Sequence, residues 1–142
     1  MNEKSPFTKE ILYYLQKAEK KLSSATLLLD QGFYEDAVSR AYYAAFHAIV
    51  ALLRVENVDL SQHKHAFILN QFRIYFIDTQ ILSSDLYSKI LNIKAIREHA
   101  DYSINTEIEQ LEAEQIINDT RTLVDKIKEY LEQMKDLKFE EI

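Results

Sequence analysis

Apolar residues at positions 11, 12, 15, 18, 22, 25, 28 and 29 recur every three or four residues, the stripe of a helix with one face in a core. Ser5 and Pro6 give that helix a start, a capping hydroxyl followed by a residue whose fixed φ suits the first turn. Gly32 ends it, as the residue that most easily takes the left-handed conformation after a helix. The next segment, about Tyr34 to Val55, contains AYYAAFHAIVALL and is apolar nearly all round, which predicts a central, buried helix. Alanines at 37, 41, 44, 45, 48 and 51 thin one side of it and let another helix come close. The polar stretch ENVDLSQ (56–62) leads to a third helix. Ser61 can cap it, and it runs through Ile77 with Phe67, Ile68, Phe72, Tyr75 and Phe76 as its apolar side. DTQILSS closes it, and Ser84 can cap a fourth helix that reaches about Asp101. A last helix spans about Ile108 to Lys138, with Ile116, Ile117, Leu123, Val124, Ile127, Tyr130, Leu131 and Met134 in period. The pattern predicts an all-α protein, an antiparallel up-and-down bundle of about five helices.

Composition narrows this further. One glycine and one proline in 142 residues exclude folds whose hairpins, phosphate loops or barrel corners need positive φ. Residues 1–142 are expected to form a single domain, long enough for a proper core. No cysteine is present, so disulfides, thiolate metal sites and a cysteine nucleophile are out. The N-terminus lacks the apolar run of a signal peptide, and no apolar segment approaches a membrane span, so a soluble, cytoplasmic protein is expected. The net charge of −6 is unevenly spread. Residues 61–100 carry 5 Lys/Arg against 3 Asp/Glu, whereas residues 101–142 carry 5 against 12. A phosphate-binding surface belongs in the middle of the chain, where His63, His65 and His99 also fall; the acidic tail would repel nucleic acid.

The densest chemistry is KAIREHADYS, residues 94–103. Arg97 and Asp101 are four apart and can pair on one helix face, His99 points nearly opposite to Arg97, and Tyr102 lies near the expected helix end. Arg40, Tyr43 and His47 also share a face, since residues seven apart on a helix are offset by only about 20°. They form either a buried polar ladder between helices or an extension of a cleft shared with residues 97–102. His63 and Lys64, at the start of the third helix, can add anion attraction. His63 and His65 would point about 200° apart on a helix and cannot share a metal. No zinc-protease, phosphate-loop, nucleophile-elbow or calcium-loop pattern occurs, so neither metal nor cofactor is expected.

YEDAVSRAYYAAFHAIVALL, SQHKHAFILNQF and REHADY, in this order and spacing, resemble the HEPN superfamily (higher eukaryotes and prokaryotes nucleotide-binding), and within it the small stand-alone prokaryotic proteins. The resemblance covers about residues 11–132. It implies a helical bundle, a homodimer, and a minimal nucleotidyltransferase as partner in a toxin–antitoxin-like system. It also implies a nucleotide or RNA ligand, with Arg97 contacting phosphate, Asp101 orienting Arg97 or a ribose, and Tyr102 stacking or donating its hydroxyl. In relatives with such a partner, a tyrosine after the motif accepts AMP, a role the resemblance passes to Tyr102 by region. Several relatives are metal-independent ribonucleases built on Arg, four to six residues, then His. Here the corresponding positions after Arg97 hold Tyr102, Ser103 and Ile104. The first expectation is therefore a phosphate-binding module. The alternative is a ribonuclease with a non-standard site that recruits His99 or His47 to Arg97.

Overall fold

The computed structural model describes residues 8–61, 64–102 and 107–135. Ser5, Pro6, His63 and Lys138 of the sequence reading lie outside them, as does the side chain of Met134. Among the described residues the protein is all-helical, with α1 (Thr8–Asp30), α2 (Tyr34–Val55), α3 (His65–Phe72), α4 (Ser84–Tyr102) and α5 (Gln110–Lys135). The expected five-helix bundle is what the chain forms.

Gly32 does what its position requires. At φ +85° it lets Phe33 N–H reach Leu28 O (2.9 Å) and its own N–H reach Leu29 O (3.0 Å), closing α1 with a Schellman turn. α2 then returns along α1. The small side chains of Ala18 and Ala25 on α1 and of Ala41, Ala45 and Ala48 on α2 are fully buried, as close helix packing demands. α2 alone buries twelve residues, from Ala37 to Leu53. α1, α3, α4 and α5 all pack on it, so the apolar excess that set it apart in the sequence is covered within one chain.

Two stretches depart from the simple periodic reading. α3 begins at His65, with Lys64 rather than Ser61 in the N-cap position, and Ser61 instead turns the chain by donating its N–H to Asp59 Oδ1 (2.9 Å). α3 continues as a π-helical turn, Arg73–Ile77, in which Asp78 N–H bonds Arg73 O at 2.8 Å. The wider turn shifts the register. Phe76 and Ile77 are buried, but Tyr75, expected on the apolar side, is 38% exposed. At the start of α4 the capping hydroxyl belongs to Ser83, which accepts from Asp85 N–H (3.1 Å), and Ser84 is the first helical residue.

Polar ties fix the outer helices. Glu19 of α1 takes a two-pronged bond from Arg121 of α5 (2.9 and 3.0 Å) and a third from Lys128 (3.0 Å). Burial works against the Glu19 carboxylate, but these two cations prevail and hold it below the usual carboxylate range. Glu35 at the first turn of α2 accepts the N–H of Ile108 (3.3 Å), and so anchors the approach to α5. No described helix is long and apolar enough to cross a membrane.

Candidate nucleotide-phosphate site

The site forms along the one side of α2 that its neighbours leave partly open. Tyr43, Phe46, His47 and Arg54 lie there, all half-buried, with Arg40 fully exposed one turn earlier. α1 borders this stripe on one side, and α4 with the start of α3 borders it on the other.

Arg97 is the centre on the α4 side. Its guanidinium carbon lies 5.2 Å from the ring centroid of Tyr42 and 5.3 Å from that of Tyr43, a cation–π cradle built from two adjacent α2 residues. Nη2 donates to the Tyr43 hydroxyl at 3.1 Å. Asp101 Oδ2 comes within 2.9 Å of Nε, yet Nε is buried and makes no hydrogen bond. The carboxylate therefore balances the charge without taking up that donor. Among the described residues the Tyr43 hydroxyl is the one hydrogen-bond acceptor of the Arg97 guanidinium, whose side chain is 16% exposed.

His65, at the first turn of α3, completes the cluster. The Tyr42 hydroxyl and His65 Nδ1 are 2.8 Å apart, and the imidazole packs 4.1 Å from the ring of Phe46. Burial pushes the Tyr42 phenol up to about 12, so it stays protonated and can donate to Nδ1. Burial, then the charges of Arg97 and Lys94, lower the His65 pKa. A neutral imidazole that accepts at Nδ1 carries its proton at Nε2, and Nε2 is not buried without a partner.

Sequence reasoning singled out neither His65 nor Tyr42. The only signal was the stretch SQHKHAF, in which spacing leaves His63 and His65 equivalent; the fold alone sets which one meets Tyr42. Of the residues it did single out, Tyr43, Arg97 and Asp101 come together. Lys64 is exposed at the α3 N-cap, and His63 lies outside the described residues. Arg40 is exposed. His99 is exposed and belongs to the opposite face of α4. Tyr102 is 75% exposed at the end of α4, open to a partner rather than packed in the bundle.

His47 serves the other border. Its ring stacks on Tyr14 of α1 (6.0 Å, 25°) and meets Phe46 edge-on (6.3 Å), while Nδ1 is buried with no hydrogen-bond partner. Burial, then the charges of Lys17, Lys21 and His65, push its pKa down to about 4. Beyond His47 the stripe ends in a cavity of about 410 Å³ between Glu10 and Tyr14 of α1, Val50 and Arg54 of α2, and residues 59–61. Arg54 bridges it, with Nε and Nη2 both on Glu10 Oε2 (3.0 and 2.6 Å). No group of three metal-ligating side chains occurs among the described residues.

A family model described as the HEPN domain matches residues 11–130. The chain belongs to the HEPN family. A Methanocaldococcus jannaschii protein named "Putative toxin" is 37% identical over 126 residues, spanning 88% of this chain and 91% of its own. A second M. jannaschii protein of the same name is 34% identical, spanning 88% and 84%. A Thermotoga maritima protein of the UPF0332 group is 30% identical over 135 residues, spanning 95% and 98%. The HEPN match runs from Ile11, the first buried residue of α1, to Tyr130 of α5, so the groups above lie inside it except Glu10.

The His47 value of about 4 makes a checkable statement about this HEPN domain. The folded-state pKa lies below the ordinary 6.5, so on acidification the unfolded chain binds the proton first. The stabilisation is complete above about pH 6.5 and is lost as pH falls towards 4. Urea unfolding should show the native protein losing stability across that window more steeply than a His47→Phe variant, with parallel curves above pH 7. Equal slopes below pH 6.5 would refute this.

Proposed function

We propose that this protein is the HEPN module of a toxin–antitoxin-like pair, binding the phosphate of a nucleotide or RNA at Arg97 and partnering a minimal nucleotidyltransferase. One observation carries the reading. Arg97 lies against two tyrosine rings, has one carboxylate for balance, and among the described residues makes one hydrogen bond, from Nη2 to the Tyr43 hydroxyl. A guanidinium so placed matches the fork of oxygens on a phosphate. The toxin names of two relatives support the setting.

Charge-assisted hydrogen bonds contribute about 1.5–3 kcal/mol each, so loss of the anchor should weaken binding by about ten- to a hundredfold. Calorimetry with UMP and with 2′-O-methyl hexauridylate, on the native protein and Arg97→Ala, reads this directly. Unchanged affinity in the variant overturns the phosphate anchor.

A second reading, RNA cleavage, is favoured by His65, which stands beside Arg97 where the α4 histidine of related ribonucleases is missing. In it His65, in the tautomer that donates Nδ1–H to the Tyr42 oxygen, takes the ribose 2′-OH proton at Nε2 as O2′ bonds phosphorus and the P–O5′ bond breaks. The leaving oxygen takes a proton from the Tyr43 hydroxyl or water, giving a 2′,3′-cyclic phosphate and a 5′-OH. With unmodified hexauridylate and chelator present, cyclic-phosphate ends should appear with the native protein and not with His65→Ala. An intact oligonucleotide after prolonged incubation rules this reading out.

Partnering a nucleotidyltransferase gives Tyr102 a role, because its exposed hydroxyl is accessible to an enzyme that transfers AMP. The added phosphate would put negative charge on the last turn of α4, five residues after Arg97. Intact-mass spectrometry after co-expression with a neighbouring nucleotidyltransferase should show one AMP added, lost in Tyr102→Phe. No added mass, or mass retained in the variant, counts against it.

A further inference from the structure

Lys17 and Lys21 stand one turn apart on α1, three and seven residues after Tyr14 and so on its face, and Tyr14 stacks on His47 of α2. The carboxylates of α1 that could neutralise them are engaged elsewhere. Glu10 holds Arg54, and Glu19 faces α5, where Arg121 and Lys128 occupy it. Among the described residues neither lysine is in an ion pair, and Lys17 instead lies 5.4 Å over the Tyr13 ring. In a chain of net charge −6 this border of the groove is a local reversal of sign.

A row of rings joins this border to Arg97. Tyr14 stacks on His47, His47 meets Phe46, Phe46 packs on His65, and His65 lies 6.0 Å from Tyr43, which Arg97 covers. Cations at both edges of a groove with half-buried aromatic rings between them suit a single strand, whose phosphates follow charge and whose bases lie on rings. A mononucleotide has phosphate at one end only and would use one edge.

We propose that Lys17 and Lys21, on the α1 border beside His47, form a second anion subsite, so that this face takes a single-stranded oligonucleotide with two or more phosphates in preference to a mononucleotide. This rests on the Arg97 reading for the first subsite. The second subsite is carried by α1 and is independent of the α4 residues.

Binding of UMP and of 2′-O-methyl hexauridylate, the latter blocked against cleavage at the 2′ position, is measured over a salt series for the native protein, Arg97→Ala, and Lys17→Ala/Lys21→Ala. Both lysines are only half-buried, and alanine suits a helix interior, so the double variant should fold. The hexamer should bind the native protein at least tenfold more tightly than UMP. The double variant should lose about tenfold in hexamer affinity, flatten the salt slope by about 1.4 (about 0.7 per lost phosphate contact), and bind UMP as before. Arg97→Ala should weaken both ligands. Loss of hexamer affinity in the lysine variant with none in Arg97→Ala would overturn the Arg97 reading and leave the lysine subsite standing. A hexamer that binds no better than UMP, binding of neither probe, or a lysine variant with native affinity and slope overturns the second subsite.

Discussion

The burial of α2 is the constraint on which the rest of this molecule depends. A helix that is apolar nearly all round has to be covered on most of its circumference, and four other helices pack on it. Fully buried alanines let α1 approach closely, while α4 and α5 bring Leu86, Ile90, Ile93, Leu123, Val124 and Ile127 to the core. What remains open is a narrow stripe through Arg40, Tyr43, His47 and Arg54. Function, if α2 is to contribute to it, has only that stripe to use.

Aromatic residues on the stripe make the charges beside it more effective. Tyr42 and Tyr43 are successive residues with different environments, the first fully buried and the second half-buried, and together they cradle the Arg97 guanidinium. A mobile surface arginine loses side-chain freedom on binding an anion; one already fixed by two rings and a carboxylate loses less. The same surroundings keep His65 and His47 neutral, since desolvation and nearby cations both oppose protonation. An arginine held by two rings beside neutral imidazoles is chemically different from a patch of solvated lysines.

Relatives named as toxins lie at 34–37% identity over most of the chain, which places the fold and the family beyond argument. Here an imidazole from α3, His65, lies 6.0 Å from the Tyr43 ring that Arg97 covers, while the α4 histidine, His99, is on the far side of its helix. Two helices that converge on Tyr42 can supply an arginine and a histidine as well as one helix can, because geometry at the ligand is what matters.

By itself, the order of apolar and polar residues determined the five helices, the central place of α2, and the turn at Gly32, since these follow from local periodicity and backbone conformation. It also determined that Arg97 and Asp101 could pair and that Tyr43 and His47 share a side of α2, because both are properties of a single helix. The π turn that exposes Tyr75 was not legible, because one wider turn leaves no mark in a period of three to four. Nor was the choice of His65 over His63, the contact of Arg97 with Tyr42 and Tyr43, or the diversion of Glu19 to α5. Each of these depends on residues between 23 and 109 positions apart in the chain meeting in space. Which helix neighbours which, and at what rotation, was decided only by the packing of the whole bundle around α2.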